Sequence, residues 1–241
     1  IQIKINYCKI HNDMKIAEIE ISNLAKNTCW DFGNKILYNL CQDYPSHNKD
    51  DIILTKVLFI GRIYAAAVER RKNKNDDPII NDNFYIDNVI PAFINSNIDN
   101  NLKKLKGKQL STNNILEILK VHNELVKILT KITELNKRSF ASKYLHFHLP
   151  NLFFIYDSRA VQAMRKFTSK IPIELQYILQ EKGIDKEYAK FFCKSFDLKT
   201  RIETTHKSRI TTRQLDNLLM ETANNIAMTK AELKANHNQL A

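Results

Sequence analysis

A chain of 241 residues, 44% of them hydrophobic, is long enough for one large domain or for two small lobes sharing a core. Its 4 Gly and 5 Pro are too few for the turns of an all-β protein of this size, so the expected class is all-α. The balance of 37 basic and 26 acidic residues, a net +11 with a pI near 9.4, points to a polyanionic partner, nucleic acid first, although a Lys-, Asn- and Ile-rich composition raises the charge by itself.

Residues 1–10 alternate Ile1, Ile3 and Ile5, the pattern of a short strand or extended arm. From Asn27, with Asn27 or Thr28 as cap, Cys29, Phe32, Gly33, Ile36, Leu37 and Leu40 form one apolar stripe of a helix that stops near Pro45. Asp50 or Asp51 opens a longer helix to about Arg71, apolar on nearly every face between Val57 and Val68 and so expected at the centre of a domain. Gly61 and Arg62 interrupt that run, which is too short to span a bilayer, and no membrane segment is expected. The polar stretch 72–83, KNKNDDPIINDN, is a candidate lobe boundary or insertion. Helices follow over about 84–95 and 98–107, and Ser111 opens one carrying Ile115, Leu119, His122, Val126, Leu129 and Ile132 at helical spacing. Asn136 caps a helix ending at Pro150, Asp157 one running to about Lys170, and Pro172 stands near the start of another. Asp185 and Thr211 or Thr212 begin the last two. Residues 1–228 thus read as a single all-α domain and 229–241 as a flexible, frayed tail.

The four cysteines, Cys8, Cys29, Cys41 and Cys193, contain no Cys-x-x-Cys pair, so no zinc site, iron–sulfur cluster or other cofactor is expected. Cys29 and Cys41 lie among apolar residues and read as small core fillers. No secretory signal is legible at the start, and a reducing cytoplasm is the expected compartment.

Chemistry concentrates in Ser139 to Lys166, SFASKYLHFHLPNLFFIYDSRAVQAMRK. On the first helix Phe140, Ala141, Tyr144, Leu145 and Phe147 or His148 point to one side, while Ser139, Ser142, Lys143 and His146 share the other. Lys143 is therefore expected on an approachable polar face. It lies about two turns, roughly 10 Å, before the helix end. The return from Pro150 to Asp157 spans about 20 Å if extended, so the two residues have the reach to meet in one cleft. A capping Asp is held rigidly beside backbone N–H groups.

This segment resembles the catalytic module of helix-hairpin-helix DNA glycosylases, most of all the archaeal 8-oxoguanine glycosylases and similar bacterial proteins. Phe140-Ala-Ser-Lys143 matches the lysine segment and Ile155-Tyr-Asp157-Ser-Arg159 the aspartate segment, over about 30 residues of the 241. The resemblance implies a helical fold of two lobes with a cleft, DNA as partner, and excision of a damaged base, an oxidised guanine among the candidates, with strand cleavage as an optional following step. The base would flip into a pocket. Lys143 would attack the sugar as a neutral amine, its pKa lowered by desolvation or a nearby cation. Asp157 would stabilise positive charge on the sugar and help move protons. One departure is plain: the turn before the lysine helix reads ITELNKRS and lacks the glycines whose N–H groups grip phosphate in the family. Lys137, Arg138 and Ser139 at that helix start, with Arg159, are the candidate DNA contacts in their place. Lys137, 20 residues before Asp157, is also a rival nucleophile.

Trp30, Tyr64 and His146 are candidates for the base pocket, with core packing the ordinary role of each. Arg62 calls for an acidic partner, Glu69 or Asp31. Two other functions are open: a non-catalytic nucleic-acid binder of the same fold, and a HEPN-type ribonuclease using the Arg-x4-His pattern of Arg201 and His206, in a stretch whose Thr204, Thr205 and Ser208 read as a loop.

Overall fold

A computed structural model describes residues 14–26, 28–72 and 82–239, excepting the side chains of 234 and 236–239. The expected arm at 1–10 and Cys8 lie outside these residues. The described residues are helical and contain no strand. In chain order the helices are α1 (Ile21–Leu24), α2 (Asp31–Asp43), α3 (Asp50–Ile63), a π-turn (Tyr85–Val89) leading into α4 (Ile90–Ile94), α5 (Ile98–Leu105), a 3₁₀ turn (Thr112–Asn114) leading into α6 (Ile115–Thr133), α7 (Arg138–His148), α8 (Ser158–Met164), a 3₁₀ segment (Ile173–Gln180), α9 (Lys186–His206) and α10 (Thr212–Gln239).

Helix starts follow side-chain chemistry. Ser111 and Asn114 form a reciprocal capping box ahead of α6. Asp157 accepts from the Arg159 backbone N–H (2.9 Å) at the head of α8. Asp185 accepts from the N–H groups of Glu187 and Tyr188 (both 3.0 Å) at the head of α9. Thr211 and Gln214 exchange side-chain and backbone bonds ahead of α10. Helix α10 runs to Gln239, within the segment 229–241 expected to fray.

The chain divides into two compact units. Unit 1 takes the described residues up to Lys26, Tyr156–Tyr177, and those from Lys190 onward; unit 2 takes those within Asn27–Ile155, with Ile178–Ala189. Of the candidate boundary 72–83, residues 73–81 lie outside the described residues. In unit 1, α8 and α1 pack on α10. In unit 2, α7 is the central helix and packs on α2, α3 and α6. Every residue of α7 from Phe140 to Phe147 is buried.

The structure corrects several expectations. Helix α3 is shorter than expected and exposes Phe59 and Ile63, so the all-round burial expected of it belongs to α7. Its end is a left-handed turn at Ala65 (φ 50°), and Glu69 beyond the turn pairs with Arg62 at 2.6 Å. Helix α8 ends at Met164 rather than near Lys170. Cys41 and Cys193 are buried but Cys29 is exposed.

Candidate functional site

Lys143 stands in the middle of α7 and is only 2% exposed. The open polar face expected for it does not exist, because both faces of α7 are covered. Each polar side chain of that face is satisfied inside. Ser142 donates to the Ser139 carbonyl (2.9 Å). Lys143 Nζ donates to Ser139 Oγ (3.0 Å), one helical turn back, and to the Tyr64 carbonyl (3.2 Å), with the Tyr64 ring centre at 5.8 Å. Burying an ammonium in this way is costly unless hydrogen bonds offset its lost hydration, and neutral oxygens offset it less well than carboxylates do.

The turn after α3 supplies that carbonyl. Backbone Ala66 N–H donates to the Gly61 carbonyl (2.7 Å), the long bond of a Schellman-type end, and folds the chain back so that Ala67 Cα would lie 3.3 Å from any Cβ at position 61. Lys137, at the cap of α7, holds the same turn farther along: its Nζ donates to the carbonyls of Ala67 (3.1 Å) and Arg70. Burial, with the Arg70 cation nearby, lowers the Lys137 amine to about 8 against the pull of Glu69. Two lysines six positions apart thus bridge α7 to residues 64–70. The words FASK and GRIYAAAVERR, distant in sequence, form one construction.

The other α7 candidates are held by structural bonds. Arg138 Nε donates to both carboxylate oxygens of Asp185 (2.8 Å each), and this guanidinium with backbone N–H bonds keeps the buried Asp185 carboxyl below its ordinary range despite desolvation. His146 is fully buried; its Nδ1 lies 2.8 Å from the Phe153 carbonyl and its Nε2 2.6 Å from Tyr38 Oη. A carbonyl only accepts, so in the neutral ring Nδ1 carries the proton and Tyr38 donates to Nε2. His146 is a satisfied core histidine. Tyr64 is half-buried and donates to Asn34 (2.5 Å). Trp30, expected in the core or against a base, is 61% exposed just before α2.

Asp157 and Arg159 belong to unit 1, and Lys143 to unit 2. Asp157 caps α8 as expected, and exposed Arg159 donates to Asn224 of α10. In the same unit Arg201 and His206 lie within helix α9, not in a loop, since Thr200 and Thr204 hydroxyls bond back to carbonyls one turn earlier. Arg201 pairs with Asp197 (3.0 Å) and donates to the Phe167 carbonyl (3.2 Å); His206 Nε2 donates to the Ile16 carbonyl (2.8 Å).

A polar network beneath α7 escaped the sequence reading. His47 stands between Asp99 (Nδ1 to Oδ1, 2.5 Å) and Tyr144 (Nε2 to Oη, 2.6 Å). Lys56, fully buried, donates to the Ser46 carbonyl at 3.3 Å. The buried Nε2 of His148 has no partner among the described residues. Burial, then the Lys56 charge, lowers His47 from 6.5 to about 4, although Asp99 pulls the other way. Burial, Lys56 and His47 likewise hold His148 well below its ordinary value. The one sequence signal was a lysine inside the apolar word ILTKVLFI.

Among the described residues no group of three or more His, Cys, Asp or Glu is placed to hold a metal ion, and no helix is long and apolar enough to cross a membrane. No protein-family model, curated protein or solved structure matches the chain.

Proposed function

We propose that this chain is a DNA glycosylase-like enzyme in which Lys143 is the nucleophile and DNA bearing a damaged base, an oxidised guanine first, is the substrate. The observation that carries the reading is the burial of Lys143 in mid-helix, with its amine fixed by Ser139 Oγ and the Tyr64 carbonyl. A lysine becomes a nucleophile where water is removed from it and its position is fixed. The resemblance of FASK and IYDSR to the glycosylase module supports the same assignment.

In this mechanism the cover over α7 has to open to admit the flipped nucleotide, and the Lys143 nitrogen then forms a bond to C1′ of the deoxyribose as the C1′–base bond breaks. The bonding pair leaves on the base, and the amine proton follows it. Opening of the sugar gives an imine between Nζ and C1′, from which loss of the 2′ proton and the 3′ phosphate would cleave the strand. Lys137, held by the carbonyls of residues 67 and 70 with its amine lowered to about 8, is the rival nucleophile that the same trapping test separates from Lys143.

Borohydride reduction of the imine tests the proposal. A covalent protein–DNA adduct is expected on duplexes carrying an abasic site or 8-oxoguanine. Lys143→Gln should abolish it and Lys137→Gln retain it. Absence of adduct on both duplexes, with DNA still bound, would replace the enzyme by a non-catalytic binder.

A further inference from the structure

Between α8 and the following 3₁₀ segment, unit 1 carries the loop Arg165-Lys-Phe-Thr-Ser-Lys170. Phe167 and Thr168 are buried and anchor it, while Arg165, Lys166, Ser169 and Lys170 are exposed. Helix α9 fixes it from the side: Lys194 Nζ donates to the Ser169 carbonyl (2.9 Å) and Arg201 to the Phe167 carbonyl (3.2 Å). Lys190, exposed, is one turn before Lys194 on α9. No acidic residue occurs between Ser158 and Ile173. The acid one turn beyond Lys194, Asp197, pairs with Arg201, and Glu187 stands one turn before Lys190 on α9.

We infer that Arg165, Lys170, Lys190 and Lys194 form a phosphate-binding surface for the backbone of duplex DNA. The inference rests on the glycosylase-like reading for its choice of polyanion. Its own basis is the arrangement of charge. The Lys194–Ser169 bond sets Lys194 beside the loop that carries Arg165 and Lys170, with Lys190 one turn back on the same helix, and desolvation, then the charges of Arg165 and Lys190, lowers the Lys194 amine from its ordinary value. Like charges held together by a fixed loop oppose folding, and a bound phosphate relieves them. The cations come from two elements, with Lys190 and Lys194 about 6 Å apart along the helix axis, and so cover more surface than one small anion. Lys166 is left out because it lines a groove with Glu18, Glu20 and Glu221.

Salt dependence is the test, since each phosphate neutralised contributes about 0.9 to the slope of log K against log salt. Binding of a fluorescent 20-base-pair duplex is measured for the full chain, for Arg165→Gln/Lys170→Gln/Lys190→Gln, and for Lys103→Gln/Lys104→Gln/Lys106→Gln, which removes the same charge from exposed positions of unit 2. The first variant should lose about 2 to 3 from the slope and roughly tenfold or more in affinity, and the second less than one. Equal losses in the two variants, or preference for single-stranded RNA over the duplex, overturn the surface. Borohydride trapping at low salt with excess protein separates the two proposals. Trapping without a slope difference leaves Lys143 standing and the surface refuted; a slope difference without trapping does the reverse.

Discussion

Arg138 shows how one residue is diverted from the role its type suggests. At a helix start beside Lys137 it reads as a phosphate ligand, yet its guanidinium is spent on Asp185. That carboxylate does three jobs at once. It caps α9, binds Arg138, and accepts a longer bond from Asn136 (3.3 Å), while sitting near the buried ring of His122. A buried charge stripped of its partner costs far more than an exposed pair returns. Asp185→Ala removes the cap and the ion pair together, so it should destabilise the protein by about 3 kcal/mol or more. Arg138→Gln keeps the cap and leaves the Asp185 carboxylate the N–H groups of Glu187 and Tyr188 and the Asn136 amide as donors, so it should cost clearly less. Urea midpoints of the two variants decide it, and equal losses would show that the ion pair, not the cap, dominates.

The end of α3 sets what local propensity says against what tertiary contacts impose. Tyr-Ala-Ala-Ala-Val continues a helix by intrinsic preference. The chain nonetheless turns at Ala65, because Gly61 admits the returning backbone and two lysines of α7 bind the carbonyls that the turn exposes. An L-residue in the left-handed region costs roughly 1 kcal/mol or more, most of which glycine avoids. Ala65→Gly should therefore raise the melting temperature. Gly61→Ala should lower it, since the added methyl meets backbone at Ala67 that cannot swing away. It should also slow trapping by Lys143, because the Tyr64 carbonyl would shift. A Gly61→Ala protein as stable and as quick to trap as the parent would sever the turn from the site. The caps at Ser111, Asp157, Asp185 and Thr211 were legible because each is encoded within a few residues. The stop at Ile63 was not, for it depends on a helix some 75 positions later. The same distance hid the burial of Lys143. Periodicity gives two faces of α7, but only the neighbours α2, α3 and α6 decide that both are covered.

At the scale of the whole molecule, stability should depend on acid in a way that unit 2 dictates. His47, His122 and His148 are each kept neutral, His47 down to about 4 and the others also below the ordinary 6.5, chiefly by burial. His122 is stacked at 3.6 Å on Tyr188, and its Nδ1 has no partner among the described residues. Below pH 6.5 the unfolded chain takes up protons at these rings and the folded chain does not. Stability is thus complete above the unfolded value and falls as pH drops toward the folded ones. Each ring contributes about 1.4 kcal/mol per pH unit once its unfolded form is protonated, so three together approach about 4. Against a total of roughly 5–15 kcal/mol, that slope unfolds the protein between about pH 6 and 4. Asp185, whose carboxyl is lowered from 3.8, loses its contribution only below that window, so the limb belongs to the histidines. Urea unfolding at half-unit steps from pH 7.5 to 4 should show this limb, and His148→Gln should remove about one-third of its slope. A free energy that stays level from pH 6.5 to 4 would mean that these rings find a proton without opening the fold.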